Sequence, residues 1–530
     1  MNKWDAALRT LRKKIITMDT PSKNDIEKLK REVGSEYNLS KLPRNWEILQ
    51  SASEEQEEKV RKAIKQKPVR TISGVAPIAV MTAPLPCPGE CIYCPGGVDS
   101  DFFSPQSYTG NEPAAARAKQ LNYNAFKQVR LRIQQYESLG HQPEKTEIII
   151  MGGTFLATVQ EYKEQFMRGI YCGLLGAQYP HKSLTELKQR LEEARYRITG
   201  LTIETRPDWC YDNEVDEMLH YGATRVEIGI QTLHEDILQK VKRGHGREEI
   251  KKALRVAKDS ALKVVGHLML NLPYSNPEKD LQSFREMFSN PHFRPDMLKI
   301  YPTTIVKGSK LYAMWKRGEY KPYSEEKVIE TIAKMLKELP PYVRVQRVQR
   351  DIPLWLVENY EYGNLREMAW QYMEQKGWER RGIRSREVGH RMRKDHIRPN
   401  PGDVMLVRRE YTASQGKEIF LSFEDVTRDI LIGFLRLRKP SHLAHREEVN
   451  GSTMLVRELH IFGPLVPVHQ KESTAWQHQG YGSKLLEKAE TISKEEFNRE
   501  KILVISGIGV RNYYRKLGYK RIGAYMGKDL

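Results

Sequence analysis

The sequence predicts an α/β protein: a partial (β/α) barrel over residues 71–375, a basic linker over 376–403 and a smaller α/β domain over 404–530, preceded by a basic helical arm over 1–70. Three observations predict it. From about residue 71, short apolar β-rich runs alternate with amphipathic stretches of helical period, which implies parallel strands with helices packed outside. From about 404 the runs alternate apolar and polar residues, as antiparallel strands do. Before 71 the chain is charged throughout, with 17 Lys and Arg against 11 Asp and Glu. A length of 530 residues suits several domains of about 150 residues each.

In the arm, "SASEEQEEKVRKAIKQK" carries a Ser cap candidate, acids first and bases last, as a helix dipole favours. The arm is too polar for a large core of its own and reads as solvated, or as lying on something acidic. The barrel's strand candidates are "GVAPIAVMT", "TEIIIMGG", "GLTIET", "RVEIGIQT", "KVVGHLML" and "MLKIYPT". In such barrels the functional residues sit where strands end and loops begin. Residues 380–398 hold eight Arg or Lys against two acids. Then come "VMLVRREYT", "EIFLSFED", "ILIGFLRLRK" and "TMLVRELHIFG", a helix at "GYGSKLLEKAETISKEEF", a strand at "KILVISGIG", a short helix at "RNYYRKLG" and a last strand.

Composition narrows the function classes. No apolar run is long enough to cross a membrane, and the first residues lack the apolar middle of a signal peptide. Five cysteines, three of them clustered, argue for a reducing cytosol rather than a disulfide framework. A formal charge of +19 points to a polyanionic partner, nucleic acid first. A generally basic protein, or one binding a small phosphorylated cofactor, is the alternative.

The clustered thiols are Cys87, Cys91 and Cys94, in "LPCPGECIYCPGG". A tetrahedral zinc site usually takes four ligands, and a disulfide takes two. A 4Fe–4S cluster held by three thiolates leaves one iron open to chelate the amino and carboxylate groups of S-adenosylmethionine. One electron from the cluster then cleaves the sulfonium bond and yields a 5′-deoxyadenosyl radical. A zinc site completed by a distant His, or chance clustering, is the competing explanation. C-x-x-x-C-x-x-C with Tyr93 before the last cysteine, just after the first strand, resembles the radical SAM superfamily. That resemblance implies further contacts. "MGGT", with Gly152, Gly153 and Thr154, would meet the methionine amino group, or is simply a tight βα turn. Glu204 and Arg206 in "TIETRPD", and Glu227 and Gln231 in "EIGIQT", would hold ribose and carboxylate; a structural Glu204–Arg206 ion pair is the alternative. Lys299 and Tyr301 in "KIYPT" face the same mouth and would meet the second substrate. Cys172 and Cys210 read as packing residues.

In "QHQGYGSKLL", Gln477, Gly480 and Gly482 open a helix whose freed N–H groups can cradle a pyrophosphate. With strand "RELHIFG" before it and "KILVISG" and "RNYYRKLGY" after it, the order resembles the GNAT acetyltransferases. There the strand corresponding to Glu458, Leu459, His460 and Ile461 pairs with pantetheine. Tyr513 or Tyr514 would lie by the thioester sulfur, or the two tyrosines pack a small core.

Both modules in one chain resemble the catalytic subunit of Elongator and its single-chain archaeal and bacterial relatives. The match runs from about residue 68 to the end through "CIYCPGGVDSDFFSPQSYTGNEP", "TIETRPDWC", "HLMLNLPYSNPEKD", "KIYPTTIVKG", "VRVQRVQRDIP" and "RNYYRKLGY". It implies a cytoplasmic enzyme that places a carboxymethyl group on C5 of the tRNA wobble uridine, with acetyl-CoA as donor. The adenosyl radical would abstract hydrogen from the acetyl methyl, the carbon radical would add to C5, and thioester hydrolysis would release the product. A base in the anticodon stem-loop is already unpaired, as such chemistry needs. By the same resemblance Lys145, Tyr481, Ser483 and Tyr513 join the acetyl-CoA set. The water-activating group is left open among Glu458, His460 and Lys299. No spare cysteine cluster exists, so no zinc is expected. The arm, "QRVQRD" and the 380–398 run would carry RNA phosphates or be solvated surface. Oligomeric state, accessory subunits and electron donor are not legible. A lysine acetyltransferase of histone-like tails with a structural Fe–S cluster is the alternative function.

Overall fold

Seven parallel strands form one sheet in chain order: β1 (Val75–Met81), β2 (Lys145–Met151), β3 (Arg197–Thr205), β4 (Arg225–Gln231), β5 (Lys263–Leu270), β6 (Met297–Pro302) and β7 (Arg344–Val348). The computed structural model describes residues 3–19, 21, 23–39, 42–43, 45–50, 59–60, 74–139, 141–463 and 480–530. β1 to β6 are the six apolar runs named above. The seventh, "RVQRV", overlaps the "QRVQRD" stretch expected at RNA phosphates and is not among the strand candidates. Its Arg and Gln mask the strand pattern because it is the edge of an open half-barrel, where polar side chains are tolerated. β4 is buried at every position, Arg225 and Glu227 included. A charged residue survives there only with partners.

The outer helices have the caps that such βα units need. Ser183 and Glu186 close a reciprocal box on helix Leu184–Leu191, and the Asn276 side chain accepts from Lys279 N–H ahead of Pro277–Ser289. In the arm, helices Lys3–Thr17 and Lys23–Glu36 bury Leu11, Ile15, Ile26 and Val33 together. The expected solvated arm thus has a small core. Most of the 51–67 helix expected there lies outside the described residues.

The C-terminal sheet is mixed. β8 (Val404–Ala413), β9 (Gly416–Asp425), β10 (Ile430–Lys439) and β11 (Thr453–Ile461) run antiparallel in turn. β12 (Lys501–Val504) is parallel to β11; β14 (Tyr525–Asp529) and the short β13 (Lys520–Ile522) close the far edge. Helix Tyr481–Thr491 covers one face through Leu485, Leu486 and Ala489. Between the sheets, Ile383 and Val388 pack on Phe420, Ile430 and Phe434, so the basic stretch is stitched to the second sheet.

The other face of the second sheet meets the barrel through buried charges. Arg457 donates to both oxygens of Asp296 (2.8 and 2.5 Å) and to Glu418 (3.0 Å). Arg438 bridges Asp259 (2.7 Å) and Glu418 (2.8 Å), and Arg436 donates to Glu458 (2.9 Å). Lys258 stands 3.4 Å from Asp296. Burial pushes Lys258 down to about 8 even though Asp296 and Glu418 pull it back up. The four cations balance the four carboxylates, which is how such a seam tolerates being dry.

Candidate active site

The ends of the barrel strands and the cysteine loop enclose one cavity with about 1140 Å³ of space, mouth included. Cys87, Cys91 and Cys94 line it together with Gly153, Thr154, Glu204, Arg206, Gln231, Lys299 and Tyr301. Elements far apart in sequence are thus brought to one place. Gly152 and Gly153 have φ of +120° and +70°, which suits glycine. A Cβ on Gly152 would come within 2.2 Å of Thr82 Oγ1, so the turn can approach β1 only without a side chain.

The thiols are held individually. Cys94 Sγ accepts from Ser107 N–H (3.1 Å), Cys91 Sγ accepts from Arg243 (3.2 Å), and Cys87 Sγ lies 3.8 Å from Thr154 Oγ1. Burial alone would raise Cys91, but the Arg243 guanidinium overrides it and favours the thiolate. Cys94 moves up, from burial and from Cys91. Among the described residues, no trio of candidate ligand atoms that includes these sulfurs lies within 4.8 Å of one another. A single tetrahedral zinc with bonds of about 2.3 Å would hold its sulfurs roughly 3.8 Å apart. The three sulfurs therefore do not stand as ligands of one zinc. Orphaned polar atoms also face this region: Arg206 Nη1 and Gln231 Oε1 are buried without hydrogen-bond partners. Gln231 has φ +72°, a strained backbone for a side-chain-bearing residue. Such atoms fit a polar nucleoside ligand.

Glu204 and Arg206 do not pair with each other. Arg206 grips Asp208 through two bonds (2.9 and 2.8 Å), and Glu204 accepts from Tyr108 Oη (3.0 Å) and stands 3.6 Å from Lys299. Below them Lys299 contacts Glu227, which also binds His267 (2.8 Å). Burial opposes the charged forms, yet mutual attraction keeps Lys299 raised and Glu227 well below the usual carboxylate range. Arg225 continues the line, 2.5 Å from Glu147 and 4.0 Å from Glu227. A column of ion pairs therefore runs down the half-barrel from the thiols toward its N-terminal end, where Arg225 and Lys263 act on Glu458. Lys145, the first residue of β2, lies at that end, and burial and Arg197 push its amine down.

In the second sheet, the β11–β12 ladder runs from Thr453–Val456 and stops. Along Glu458, Leu459, His460 and Ile461, β11 has ladder partners only in β10. Its other edge offers backbone donors and acceptors. Helix Tyr481–Thr491 starts beside it behind Gly480, φ +82°. A Cβ on Gly482 would lie 3.1 Å from Tyr513 Oη and 3.8 Å from Ile461 Cγ1, so strand end, helix start and tyrosine converge. Ser483 hydrogen-bonds Tyr513. Tyr481 stands edge-on to Phe423. Gln477 lies outside the described residues. Tyr514, a catalytic candidate, is instead in the core against Tyr519, because the short helix turns it away from the opening. His460 lies against Phe434 and Phe462; burial and then Arg344 push it down to about 4, so it is neutral at pH 7.

The cavity wall also holds Tyr108, Arg243 and His267, which no sequence motif marks, and Arg347 and Arg350 of "QRVQRD", expected at RNA phosphates rather than beside the thiols. His267 was findable as a polar residue inside "KVVGHLML". Arg243 reaches Cys91 across 152 residues, and no local pattern signals that.

Three family models match the chain: the ELP3 N-terminal domain over 5–72, the radical SAM superfamily over 86–287 and the radical SAM C-terminal domain over 295–375. The tRNA uridine(34) acetyltransferase of Methanocaldococcus infernus is 50% identical over 516 residues, 96% of each chain. Human Elongator complex protein 3 is 46% identical over 514 residues, 96% of this chain and 93% of that one. The structure of archaeal Methanocaldococcus infernus Elp3 lacking its N-terminus superposes with a TM-score of 0.77 at 47% identity, covering 87% of this chain and all of that one. With such similarity along nearly its whole length, the chain belongs to the family of Elongator complex protein 3 and the archaeal tRNA uridine(34) acetyltransferases, on a radical SAM barrel.

Proposed function

We propose that this protein modifies tRNA by placing a carboxymethyl group on C5 of the wobble uridine, using S-adenosylmethionine and acetyl-CoA. The observation that carries the reading is the single cavity shared by Cys87, Cys91, Cys94, Glu204, Gln231 and Lys299. The relatives' name, tRNA uridine(34) acetyltransferase, supports the substrate. Bound by the three thiols, a 4Fe–4S cluster with S-adenosylmethionine supplies one-electron chemistry, which suits an unactivated vinylic carbon.

This chain's own groups would do the rest. Arg243, against Cys91 Sγ, favours the ligating thiolate. Gly152, Gly153, Thr154, Glu204, Arg206 and Gln231 would orient the sulfonium nucleoside. Lys299 and Tyr301, on β6 opposite the thiols, would face the uracil; Lys299 stays protonated beside Glu227 and can donate a hydrogen bond but not take a proton. The open edge of β11 would pair with pantetheine, the start of helix Tyr481–Thr491 would take the pyrophosphate, and Tyr513 would stand by the thioester. Lys145 would contact acetyl-CoA. Lys299, held protonated, is excluded as the base for thioester hydrolysis, which leaves His460, neutral at pH 7 with burial and Arg344 opposing its protonation, and Glu458, a carboxylate beside Arg436. The basic arm and the 380–398 run would meet RNA phosphates.

Anaerobic reconstitution with iron and sulfide, then addition of both cofactors and tRNA, tests the reading by mass spectrometry of the wobble nucleoside. Modified uridine that disappears in Cys91→Ser is expected. Unmodified tRNA with acetylated peptide instead would overturn it.

A further inference from the structure

A small recess lies beside the edge strand β7, apart from the thiol cavity, between Leu336, Leu339 and Trp370. Arg366, Arg380, Arg381 and Arg384 wall it. Among the described residues none of these four arginines forms an ion pair. Arg366 donates to the Val345 carbonyl (3.3 Å), and Arg384 Nε is buried with no partner. The nearest carboxylates fill the gap only in part: Glu387 is paired with Arg344 at 3.0 Å, and Glu367 and Glu387 pull on Arg384, and Glu367 on Arg366, from beyond ion-pair distance. His390, edge-on to Trp370, supplies no counter-charge either. Lys394 and Arg380 lie over the Trp370 ring, at 4.7 and 5.1 Å.

Crowding cations whose carboxylates stay beyond ion-pair distance is costly, and the cost is visible. Burial and Arg384 push Arg366 down to about 9, and burial and Arg344 push Arg384 down as well. An anion in the recess would remove that penalty, and planar guanidinium forks match a phosphate's oxygens. The recess also has a direction. Arg347 and Arg350 line the thiol cavity at one end of β7, and Arg344 at the other end stands over Phe462, beside His460. Arginines thus border the edge strand over roughly 13 Å, at about 3.3 Å per residue, between the two sites.

We propose that this recess seats a backbone phosphate of the RNA substrate, with Arg366 and Arg384 as its ligands. This rests on the reading that the substrate is tRNA. The phosphates of coenzyme A are the other source of the same chemistry, and the test separates the two.

The full chain is titrated with an anticodon stem-loop RNA from about 50 to 200 mM salt, as wild type, Arg384→Gln, Arg366→Gln and Arg384→Lys. Each Gln variant is expected to lower the slope of log affinity against log salt by about 0.7, one phosphate contact on a single strand. Lysine should restore most of it. Acetyl-CoA affinity and RNA-independent cleavage of S-adenosylmethionine should not move. The thermal midpoint should stay level or rise, because like charges have been removed. An unchanged slope in a variant, while wild type binds RNA, overturns the recess and leaves the tRNA reading standing. So does a lowered thermal midpoint without a slope change, which would make the arginines structural. Weakened acetyl-CoA binding with unchanged RNA binding assigns the recess to coenzyme A and overturns the proposal. A wild type that binds no RNA sinks the tRNA reading and this proposal with it.

Discussion

Replacing Asp296 by alanine removes one carboxylate from the charged seam between the barrel and the second sheet. Its side chain is fully buried and takes two bonds from Arg457 and one from Val264 N–H, with Lys258 3.4 Å away. What remains is Glu418, shared among Arg457, Arg438 and Lys258. One positive charge is left uncompensated in a dry interior, and breaking such a pair costs about 3–5 kcal/mol. Arg457→Met in the same chain removes that charge, and exchanging a whole buried pair for apolar groups is often neutral or better. The assay is urea unfolding of Asp296→Ala, Arg457→Met and the double variant, read as a double-mutant cycle. The double variant should recover most of the loss. A single-variant cost under about 1 kcal/mol, a value typical of exposed pairs, would refute the argument that the seam is dry. The seam also joins the two candidate sites: Arg457 and Glu458 are neighbours on β11, and Asp296 immediately precedes β6, which ends at the thiol cavity. Loss of wobble modification should therefore accompany loss of the seam, even where the iron content is unchanged.

Arg243→Gln removes the cation that favours Cys91 thiolate; reconstituted protein should lose iron to a chelator several-fold faster, read by absorbance, with its fold intact by circular dichroism. Gly482→Val would drive a side chain onto Tyr513 Oη and Ile461, 3.1 and 3.8 Å from the first added carbon; acetyl-CoA affinity should fall at least tenfold, about 1.4 kcal/mol, while iron content stays the same. His460 is depressed to about 4 against about 6.5 unfolded. The unfolded chain then binds the extra proton, so stability falls as pH drops from about 6.5 through 4, by up to about 3 kcal/mol from this group. His460→Phe should flatten that part of the stability profile, and an unchanged acid limb would count against a neutral, half-buried imidazole.

Much of the barrel was legible because parallel strands buried on both faces read as apolar runs, as in "TEIIIMGG" and "KVVGHLML". β7 was not, since an edge strand need not be apolar. The cysteine loop was legible from spacing alone. The partners of its thiols were not: Arg243, Ser107 and Thr154 come from three separate loops. In the second sheet the alternation showed the strands but hid the seam. Arg436, Arg438 and Arg457 occupy the polar positions that sequence assigns to solvent, yet all three are buried. Only the apposed Asp259, Asp296 and Glu418 explain them. Tyr513 and Tyr514 could not be separated by spacing, because which one faces the helix opening depends on the rotation of a five-residue helix.

The proposed function requires the barrel and the second sheet to act on one uridine. The most direct measurement uses acetyl-CoA labelled with carbon-13 in the acetyl group, reconstituted protein and tRNA, followed by mass spectrometry of the isolated nucleosides. The account predicts heavy carbon on the wobble uridine, dependent on S-adenosylmethionine and absent in Cys94→Ser. Heavy carbon found only on protein lysines, or on uridine without S-adenosylmethionine, would contradict it.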